Sequence, residues 1–533
     1  MQEDLRPPFN KWYYLLLLCA GASTVFAFAP FEVYPLAWLT PAVLFYVLSK
    51  ANSKKQYFFS SWIFGLGLFG AGASWPFYSM YYFAHAPLAL AIFGTVLFVA
   101  LIALLTTGAF GLLASLFRYK PLLAQLLLFY PSAWVVIEWT RSWFLTGFPW
   151  LYLGNSQIDT FFSAFAPITG VLGVSLSSVL ISGAIVSFFL GNFSHRKVQF
   201  QPGLQSPAVG TSVGAEKSLN STIRILPVLV IALLLVASFV LQKVDWTQKS
   251  GKAITVSVLQ SNISQLEKLN PDNLERSIKL YQTMTKQSRN SDLIVWPETG
   301  LFDAFNNHMD DVILPLQKSL EKNNQSILIG GFNINKDNGV ENSVLALSKD
   351  SRQIYSKRHL VPFGEYIPLL DYIRWLGQWI QLPYSNLVAG KGNGTLQVAG
   401  QIAQMSICYE DAFGAEIIQA LPQATMLVNV THDGWFTGSF QPTQHMQIAR
   451  MRSLETGRYM VRATTTGPSG IIDEKGKLIT TAQIYTKKII TGKLQPFTGA
   501  TPYVRWGDWL IIGFLSVILL IGLSLDLMKK QQD

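Results

Sequence analysis

The segment Asp292-Leu-Ile-Val-Trp-Pro-Glu298 decides the fold class of the second half of this chain. An uninterrupted apolar run that stops at a Trp-Pro pair is typical of a short buried strand. The strand carries a carboxylate, Glu298, at its tip. A lone glutamate after a strand more often caps the next element or lies in solvent, so its meaning depends on the rest of the domain.

Similar short runs alternate with helical patterns through the region 244–505. The predicted strands are Ala253–Gln260, Asp292–Trp296, Ser326–Gly330, Ser343–Leu347, Gln404–Cys408 and Thr425–Val430. Helices are predicted between them, for example at Pro271–Gln287 and Pro442–Thr456. This alternation indicates a layered α/β domain, and roughly 260 residues are enough to bury a core.

The remainder of the chain is dominated by long apolar runs. Of 533 residues, 50% are hydrophobic and 14% are charged, whereas about 25% are charged in an average soluble protein. A membrane-spanning helix needs about 20 mostly apolar residues, and about eight runs approach that length. They are Trp12–Ala29, Val33–Leu48, Phe58–Phe83, Leu88–Phe117, Leu122–Glu138, Phe161–Leu190, Ile225–Leu241 and Trp509–Leu527.

The basic residues indicate how these runs are oriented. With the N-terminus inside, the short loops on the opposite side contain only Arg141, which fits the positive-inside rule. The inside segments contain Arg6, Lys11, Lys50, Lys54, Lys55, Arg118, Lys120, Arg196, Lys197, Lys217, Arg224, Lys529 and Lys530. We therefore expect both termini in the cytoplasm, and the net charge of +10 does not require nucleic acid.

The predicted organisation has three parts. Residues 1–243 form seven transmembrane helices with cytoplasmic loops, including a flexible loop over Gln199–Asn220 that is rich in Gly, Ser, Gln and Pro. Residues 244–505 form the domain outside the membrane, which is periplasmic in an organism with two membranes. Residues 506–533 form the last transmembrane helix and a cytoplasmic tail.

Two further segments of the outer domain contain reactive groups. In Tyr355–Tyr366, Lys357 lies eight residues before Glu365 across a Pro-Phe-Gly turn; alone, such a lysine is usually a solvated surface charge. In Ser406–Asp411, Cys408 ends an apolar strand. A buried unpaired cysteine is usually inert, and its reactivity needs a nearby base or positive charge. The only other cysteine, Cys19, lies in an apolar run, so neither a disulfide nor a Cys-based metal site is expected.

Taken together and in this order, the segments around Glu298, Lys357 and Cys408 resemble the Glu–Lys–Cys triad of the nitrilase, or carbon–nitrogen hydrolase, superfamily. Further segments resemble the bacterial apolipoprotein N-acyltransferases and extend the resemblance over nearly the whole chain. These segments are His359–Tyr366, Asp433–Phe436, Gln444–Arg452, Glu455–Arg458, Thr146–Trp150 and Thr501–Tyr503. The resemblance implies a nitrilase-like αββα sandwich domain carried by a multispan α-helical membrane bundle.

The resemblance also implies roles for individual residues, with no metal and no cofactor. Cys408 is the nucleophile, Glu298 takes and returns its proton, and Lys357 stabilises the thiolate and the oxyanion. Supporting roles are expected for Glu365, which orients Lys357, for the backbone N–H of Tyr409 at the oxyanion, and for Glu410, which positions the base or the acceptor amine. The expected substrate contacts are Trp150, Trp435, Phe436 and Arg141.

For substrates, the resemblance implies a phospholipid acyl donor that leaves as a lysophospholipid. The acceptor is the N-terminal amine of an S-diacylglyceryl-cysteine on a lipoprotein, and the enzyme is a monomer of the bacterial inner membrane. The sequence departs from the family pattern at Thr431-His432, at Thr465-Thr466 and at Leu269. These departures concern contacts with the acceptor and substrate preference.

Two other functions compete with this interpretation. A membrane-tethered amidase or nitrilase would hydrolyse its thioester with water instead of transferring the acyl group. A transporter or lipid-handling scaffold would need no catalysis, but transporters place ionisable groups at mid-membrane. The predicted spans contain few such groups, since Glu138 and Arg141 lie near a boundary.

Overall fold

The computed structural model describes residues 10–193, 213–321, 325–368 and 386–532. The N-terminal region and the C-terminus are helical. The main helices are Trp12–Ser23, Leu36–Leu48, Lys54–Gly72, Leu88–Ala103, Ala109–Ser115, Tyr130–Thr140, Ala166–Phe193, Val213–Leu241 and Trp509–Gln532. Residues 199–212 of the predicted loop Gln199–Asn220 lie outside the described residues, as do Arg6, Arg196 and Lys197. The prediction of a loop is wrong for residues 213–220, which belong to the helix Val213–Leu241.

Three of these helical stretches are long and apolar enough to cross a membrane: Leu88–Ser115, Leu122–Thr140 and Phe161–Leu190. Four shorter apolar helices accompany them at Trp12–Ala27, Leu36–Leu48, Ile225–Leu241 and Trp509–Leu525. Large apolar side chains such as Phe93, Leu233 and Phe514 are more than 60% exposed, which suits a surface covered by lipid. Seven of the eight predicted runs therefore correspond to apolar helices, while the count of eight spans and their orientation stay predictions.

The prediction of a single continuous span over Phe58–Phe83 is wrong. A capping box formed by Ser53 and Gln56 starts the helix Lys54–Gly72, which ends ahead of the Trp75-Pro76 pair. Proline has no N–H for the helix ladder and disfavours a helical residue before it. A new turn begins at Pro76 and continues as a π-helical turn, Ser79–Phe83.

Two glycines allow the first and third helices to pack backbone to backbone. A Cβ added at Gly21 would lie 1.9 Å from the carbonyl oxygen of Phe64, and one at Gly67 would lie 2.1 Å from that of Leu18. Small residues at such crossings are typical of helix packing in membranes. Any larger side chain at either position would force the helices apart.

The region after the bundle contains the strands of the α/β domain, numbered in chain order. They are β1 Gln248–Lys249, β2 Ile254–Gln260, β3 Leu293–Val295, β4 Ser326–Ile334, β5 Val340–Leu347, β6 Arg352–Ser356, β7 Thr395–Val398, β8 Gln401–Ile407, β9 Met426–Thr431, β10 Met460–Thr464, β11 Gly470–Ile472, β12 Leu478–Thr481, β13 Lys488–Leu494 and β14 Phe497–Thr498. The six strands predicted from the sequence are confirmed with shifts of a few residues at their ends, as are the helices Leu274–Gln287 and Gln441–Thr456.

These strands form two six-stranded sheets and a short β1–β14 pair. One sheet has the order β13-β2-β3-β4-β5-β6 and the other β12-β11-β10-β9-β8-β7. Apolar residues of both sheets, such as Val256 and Met405, form one shared core between them. The outer faces bury Ile294 against the helix Leu274–Gln287 and Leu427 against the helix Gln441–Thr456. The layers are therefore helix, sheet, sheet, helix.

The α/β domain is anchored to the helical bundle through a break in a long membrane-side helix. Gly170 has a φ of +66° inside Ala166–Phe193, so the helical ladder is interrupted there. The N–H of Val171 instead donates to the Glu455 carboxylate of the α/β domain at 2.5 Å. The Arg452 guanidinium pairs with the same carboxylate at 2.9 Å. A helix start in the bundle is thus capped by a side chain of the other domain.

Candidate active site

Three strand ends bring the predicted triad together. Glu298 follows β3, Lys357 follows β6 and Cys408 follows β8, so two sheets contribute to one site. Glu298 and Lys357 are buried, at 6% and 1% exposure, and Cys408 is partly buried. The thiol interacts electrostatically with both Glu298 and Lys357. The three residues that the sequence singled out are therefore neighbours in space.

An asparagine and a second glutamate tie the charged residues into one network. The Lys357 ammonium donates to the Glu365 carboxylate at 2.8–2.9 Å. The Asn342 amide Nδ2 donates to Glu298 Oε1 at 2.7 Å and to Glu365 Oε1 at 3.1 Å. The second Glu365 oxygen accepts the N–H of Val361 at 2.8 Å. Glu365 thus holds Lys357, as expected, while Asn342 links the two carboxylates.

Burial and charge set the protonation of the network. Burial raises the pKa of the Glu298 carboxyl, and the Lys357 charge opposes that rise. Burial alone lowers the pKa of Lys357, but the charges of Glu365, Cys408 and Glu298 leave it above its ordinary value. Glu298 Oε2 has no hydrogen-bond partner. Glu298 therefore combines a free oxygen with a raised pKa, which suits a group that takes and returns a proton.

The nucleophile candidate is held in an unusual backbone conformation. Cys408 has a φ of +53°, a region that non-glycine residues rarely occupy. Asn429 Nδ2 donates to the Cys408 carbonyl at 3.1 Å and to Ser406 Oγ at 3.0 Å. Burial raises the pKa of the Cys408 thiol, and the Glu298 charge adds to this while Lys357 opposes it. The thiol is therefore neutral until a base accepts its proton.

Glu410 lies two residues beyond Cys408 and links two loops. One carboxylate oxygen accepts the N–H of Ile407 and the hydroxyl of Tyr355, both at 2.7 Å. The other accepts the N–H of Arg358 at 2.7 Å and that of His359 at 3.1 Å. Glu410 therefore locks the Cys408 loop to the segment that follows Lys357. A contact with the base or with the acceptor amine stays a prediction.

Tyr409 connects the site to the bundle. Its hydroxyl donates to the Gly147 carbonyl at 2.9 Å, and its ring stacks on that of Trp150 with centroids 6.5 Å apart. Trp150 is buried at 1% exposure, and its Nε1 donates to Gln444 Oε1 at 2.8 Å. The loop that contains Trp150 is thus packed against the α/β domain, next to the nucleophile.

The other expected substrate contacts are dispersed. Arg141 is buried, with its guanidinium 4.7 Å from the centre of the Tyr152 ring. Trp435 packs edge-on against Phe83 at 5.6 Å, and Phe436 packs against Trp75 at 4.5 Å. These aromatic contacts join the α/β domain to the bundle. Direct contact of Arg141, Trp150, Trp435 or Phe436 with a substrate stays a prediction.

Three of the positions expected to depart from the family pattern, Thr431, His432 and Thr465, have contacts near the triad. Thr431, at the end of β9, is buried, and its side chain opposes the rise in the pKa of the Cys408 thiol. Thr465 Oγ1 accepts from the Lys268 ammonium at 3.2 Å, and the same ammonium donates to the Glu298 carbonyl at 3.2 Å. His432 is buried and bonded to Gln265. None of these positions belongs to the triad, and their effect on contacts with the acceptor stays a prediction.

Three positioning residues escaped prediction: Asn342, Asn429 and Lys268. The signal for Asn429 was present, because a polar amide in the apolar run Thr425–Val430 must find a partner when buried. Lys268 is 4% exposed, and burial lowers its pKa to about 7 while Glu298 opposes that shift. Its sequence context, a short polar helix, gives no indication of burial.

A second buried network lies next to the loop that contains Cys408. His445 bonds to Asp411 at 2.8 Å and to Asp433 at 2.9 Å, and Arg462 reaches the same two carboxylates at 3.0 and 3.2 Å. Arg462 also donates to Asn429 Oδ1 at 2.6 Å. Because Asn429 donates to the Cys408 carbonyl, this network supports the Cys408 loop. Over the described residues, no group of three His, Cys, Asp or Glu side chains could hold a metal ion.

Comparison with known proteins places this arrangement in a class. A sequence profile for carbon–nitrogen hydrolases matches residues 255–503, and one for the apolipoprotein N-acyltransferase N-terminal domain matches residues 20–184. A solved nitrilase-superfamily structure from Saccharomyces cerevisiae aligns with 46% of this chain and 91% of its own, at 17% identity and a TM-score of 0.35. The match of residues 255–503 to the carbon–nitrogen hydrolase profile identifies a carbon–nitrogen hydrolase domain, which is joined to an apolar helical region.

Full-length relatives narrow the class further. The chain is 39% identical to an apolipoprotein N-acyltransferase of Methylococcus capsulatus, over 95% of this chain and 94% of the relative. It is 36% identical to one of Nitrosomonas europaea, over 96% and 97%, and 35% identical to one of Coxiella burnetii, over 95% and 99%. The chain belongs to the apolipoprotein N-acyltransferase family and is an acyltransferase.

Proposed function

We propose that this protein transfers an acyl chain from a phospholipid to the N-terminal amine of an S-diacylglyceryl-cysteine on a lipoprotein. The observation that carries the proposal is the convergence of Glu298, Lys357 and Cys408 next to a loop of the apolar bundle. That loop also presents Trp143, Phe144 and Leu145 with 45–71% exposure. Reactive groups beside exposed apolar side chains suit substrates that stay in a membrane.

The first half-reaction forms a thioester. Glu298 takes the Cys408 proton as the thiolate attacks the ester carbonyl of the phospholipid, and Lys357 stabilises the oxyanion of the tetrahedral intermediate. When the C–O bond breaks, Glu298 returns the proton to the departing oxygen, which leaves on the lysophospholipid.

In the second half-reaction the acceptor amine attacks the thioester. Glu298 takes a proton from the attacking nitrogen, an amide forms, and the thiolate of Cys408 leaves and is reprotonated by Glu298. The products are a triacylated lipoprotein and the free enzyme.

Membrane attachment removes an energetic obstacle. Transfer of an acyl chain out of a bilayer costs about 0.8 kcal/mol per methylene, so full extraction of one chain costs on the order of 10 kcal/mol. A site held at the membrane surface avoids most of this cost. We propose that the enzyme is a monomer in the cytoplasmic (inner) membrane, with both termini in the cytoplasm. The membrane parts are residues 1–243 and 506–533, and the domain 244–505 between them lies outside the membrane.

The test uses the purified full chain with a phospholipid of defined chains and a diacylated lipopeptide. Mass spectrometry should find the acyl chain on Cys408, and the adduct should disappear as acylated lipopeptide forms. Cys408→Ala and Cys408→Ser should form no adduct at this position. Acylation at a different residue, or free fatty acid as the main product, would contradict acyl transfer; the latter result would indicate a membrane-tethered hydrolase.

A further inference from the structure

A cavity of about 700 Å³ lies between the α/β domain and the bundle loop that contains Ser142, Trp143 and Thr146. A volume of this size accommodates a small-molecule ligand. The α/β domain contributes charged side chains, Arg358, His359 and Glu416, together with apolar ones such as Leu360 and Val388. The lining of the cavity therefore combines basic, acidic and apolar side chains.

The cavity is directly linked to the reaction site. Arg358 and His359 are the two residues after Lys357, and their N–H groups are held by Glu410. The same carboxylate holds the N–H of Ile407 at 2.7 Å, next to the nucleophile Cys408. A group bound by the side chain of Arg358 is thus at a fixed separation from the site of acyl transfer.

The basic side chains of the cavity have unused hydrogen-bonding capacity. Arg358 donates Nη1 to Gln419 Oε1 at 2.8 Å and to the Gly392 carbonyl at 3.4 Å, both neutral acceptors. Its Nε has no partner, and within the described part of the chain Glu410 and Glu416 act on it as nearby charges without forming an ion pair. His359 donates through Nδ1 to Glu416 at 2.7 Å, which leaves Nε2 without a partner.

We propose that this cavity binds the phosphate group of the donor phospholipid and that Arg358 is the residue that contacts it. A guanidinium is well suited to phosphate because it presents several donors in one plane. In a phospholipid, the three-carbon glycerol unit separates the phosphate from the ester that reacts. The apolar wall of the cavity at Trp143 and Leu360 matches the glycerol and the start of the acyl chains. This inference rests on the proposed function.

The experiment compares donors that differ only in the head group. Dioleoyl phosphatidic acid, dioleoyl phosphatidylethanolamine and dioleoylglycerol are each supplied in mixed micelles, and the rate of acylation of Cys408 is followed as a function of donor concentration. In Arg358→Ala, the half-saturating concentration of both phosphate-containing donors should rise about tenfold or more, because a charged hydrogen bond is lost. That of dioleoylglycerol should not change.

Two variants serve as controls. Arg358→Lys keeps the charge without the planar group. Its half-saturating concentrations for the phosphate-containing donors should lie between those of the wild type and those of Arg358→Ala. Arg276→Ala removes an exposed arginine of the same domain. It should leave the half-saturating concentration unchanged for donors with and without a phosphate. In the wild type, inorganic phosphate should compete with phosphatidic acid, and this competition should be lost in Arg358→Ala.

Three results would overturn the inference. An equal effect of Arg358→Ala on all three donors would show that the side chain only supports the fold. No effect on any donor would exclude contact with phosphate. If inorganic phosphate inhibits only when Arg358 is present, but Arg358→Ala does not change the half-saturating concentration of any lipid donor, the cavity is a site for free phosphate. Failure of every donor to acylate Cys408 in the wild type would instead refute the proposed function, and the inference with it.

Discussion

Asn342→Leu tests whether the amide between the two carboxylates sets the charge of the general base. The change keeps a side chain of similar volume on β5, so the loss is one of hydrogen bonding and not of packing. Asn342 Nδ2 lies 2.7 Å from Glu298 Oε1 and 3.1 Å from Glu365 Oε1. Both are hydrogen bonds to charged groups, and the shorter one stabilises the ionised base.

The magnitude follows from that single bond. A hydrogen bond to a charged group contributes about 1.5–3 kcal/mol, and each 1.36 kcal/mol corresponds to a factor of ten in rate. The acylation rate of Cys408 at pH 7 should therefore fall roughly 10- to 150-fold. The Asn342 hydrogen bond lowers the pKa of Glu298, against the larger effect of burial, which raises it. Its removal should move the acidic limb of the pH–rate profile to higher pH, since the base must be ionised to accept the thiol proton.

The assay is single-turnover acylation of Cys408 by a phospholipid donor, followed by mass spectrometry between pH 5 and pH 9. Asn333→Leu is the matched control, because Asn333 lies on the neighbouring strand β4 and bonds to Glu341 instead; its profile should equal that of the wild type. The rate deficit of Asn342→Leu should shrink as the pH rises. A deficit that is equal at every pH, or an unchanged acidic limb, would refute the argument from charge.

Three further predictions concern Lys357 and the junction of the two domains. Glu365→Gln removes the charge that pairs with the buried Lys357, and the single-turnover acylation rate should fall by at least about 100-fold; an unchanged rate would show that Lys357 needs no orienting charge. Burial raises the pKa of Glu455 from 4.5 to about 7, and the charge of Arg452 opposes this shift. Between pH 4.5 and pH 7 the folded protein therefore keeps a proton on Glu455 that the unfolded chain has released. The contribution of this proton to the free energy of unfolding is present at low pH and is lost as the pH rises through 7. From pH 8 to pH 5, the wild type should thus gain about 1–3 kcal/mol in thermal unfolding relative to Glu455→Gln, and parallel pH dependences would contradict this. Gly170→Ala should lower the free energy of unfolding by about 1–3 kcal/mol, because φ is +66° and the new Cβ would lie 2.5 Å from the Tyr503 ring. The melting temperature in detergent should therefore drop. Gly513→Ala is the control: open space surrounds Gly513, so this change should not lower the melting temperature.

The sequence alone determined the class of each part of this protein. The helical bundle was predicted from long, almost uninterrupted apolar runs, which are unusual in soluble proteins. The layered α/β domain was predicted from short apolar runs separated by helical patterns. Local pattern also placed Glu298 and Cys408 at strand ends. These features depend on the residue types and their spacing within short segments, so they can be predicted from the local sequence. The break at Ala73–Pro76 was missed because the apolar composition continues across it.

Only the tertiary structure decided how the site is supported. Asn342, Lys268 and Glu410 act through contacts between segments 30–55 residues apart, and nothing in their local sequence indicates these partners. The same holds for Glu455, which caps a helix start that exists only because Gly170 interrupts the bundle helix. Burial determines the protonation of Glu298 and Lys268, and burial is a property of the packed domains. The chain therefore specifies its reactive groups locally, whereas their charges and orientations depend on long-range packing.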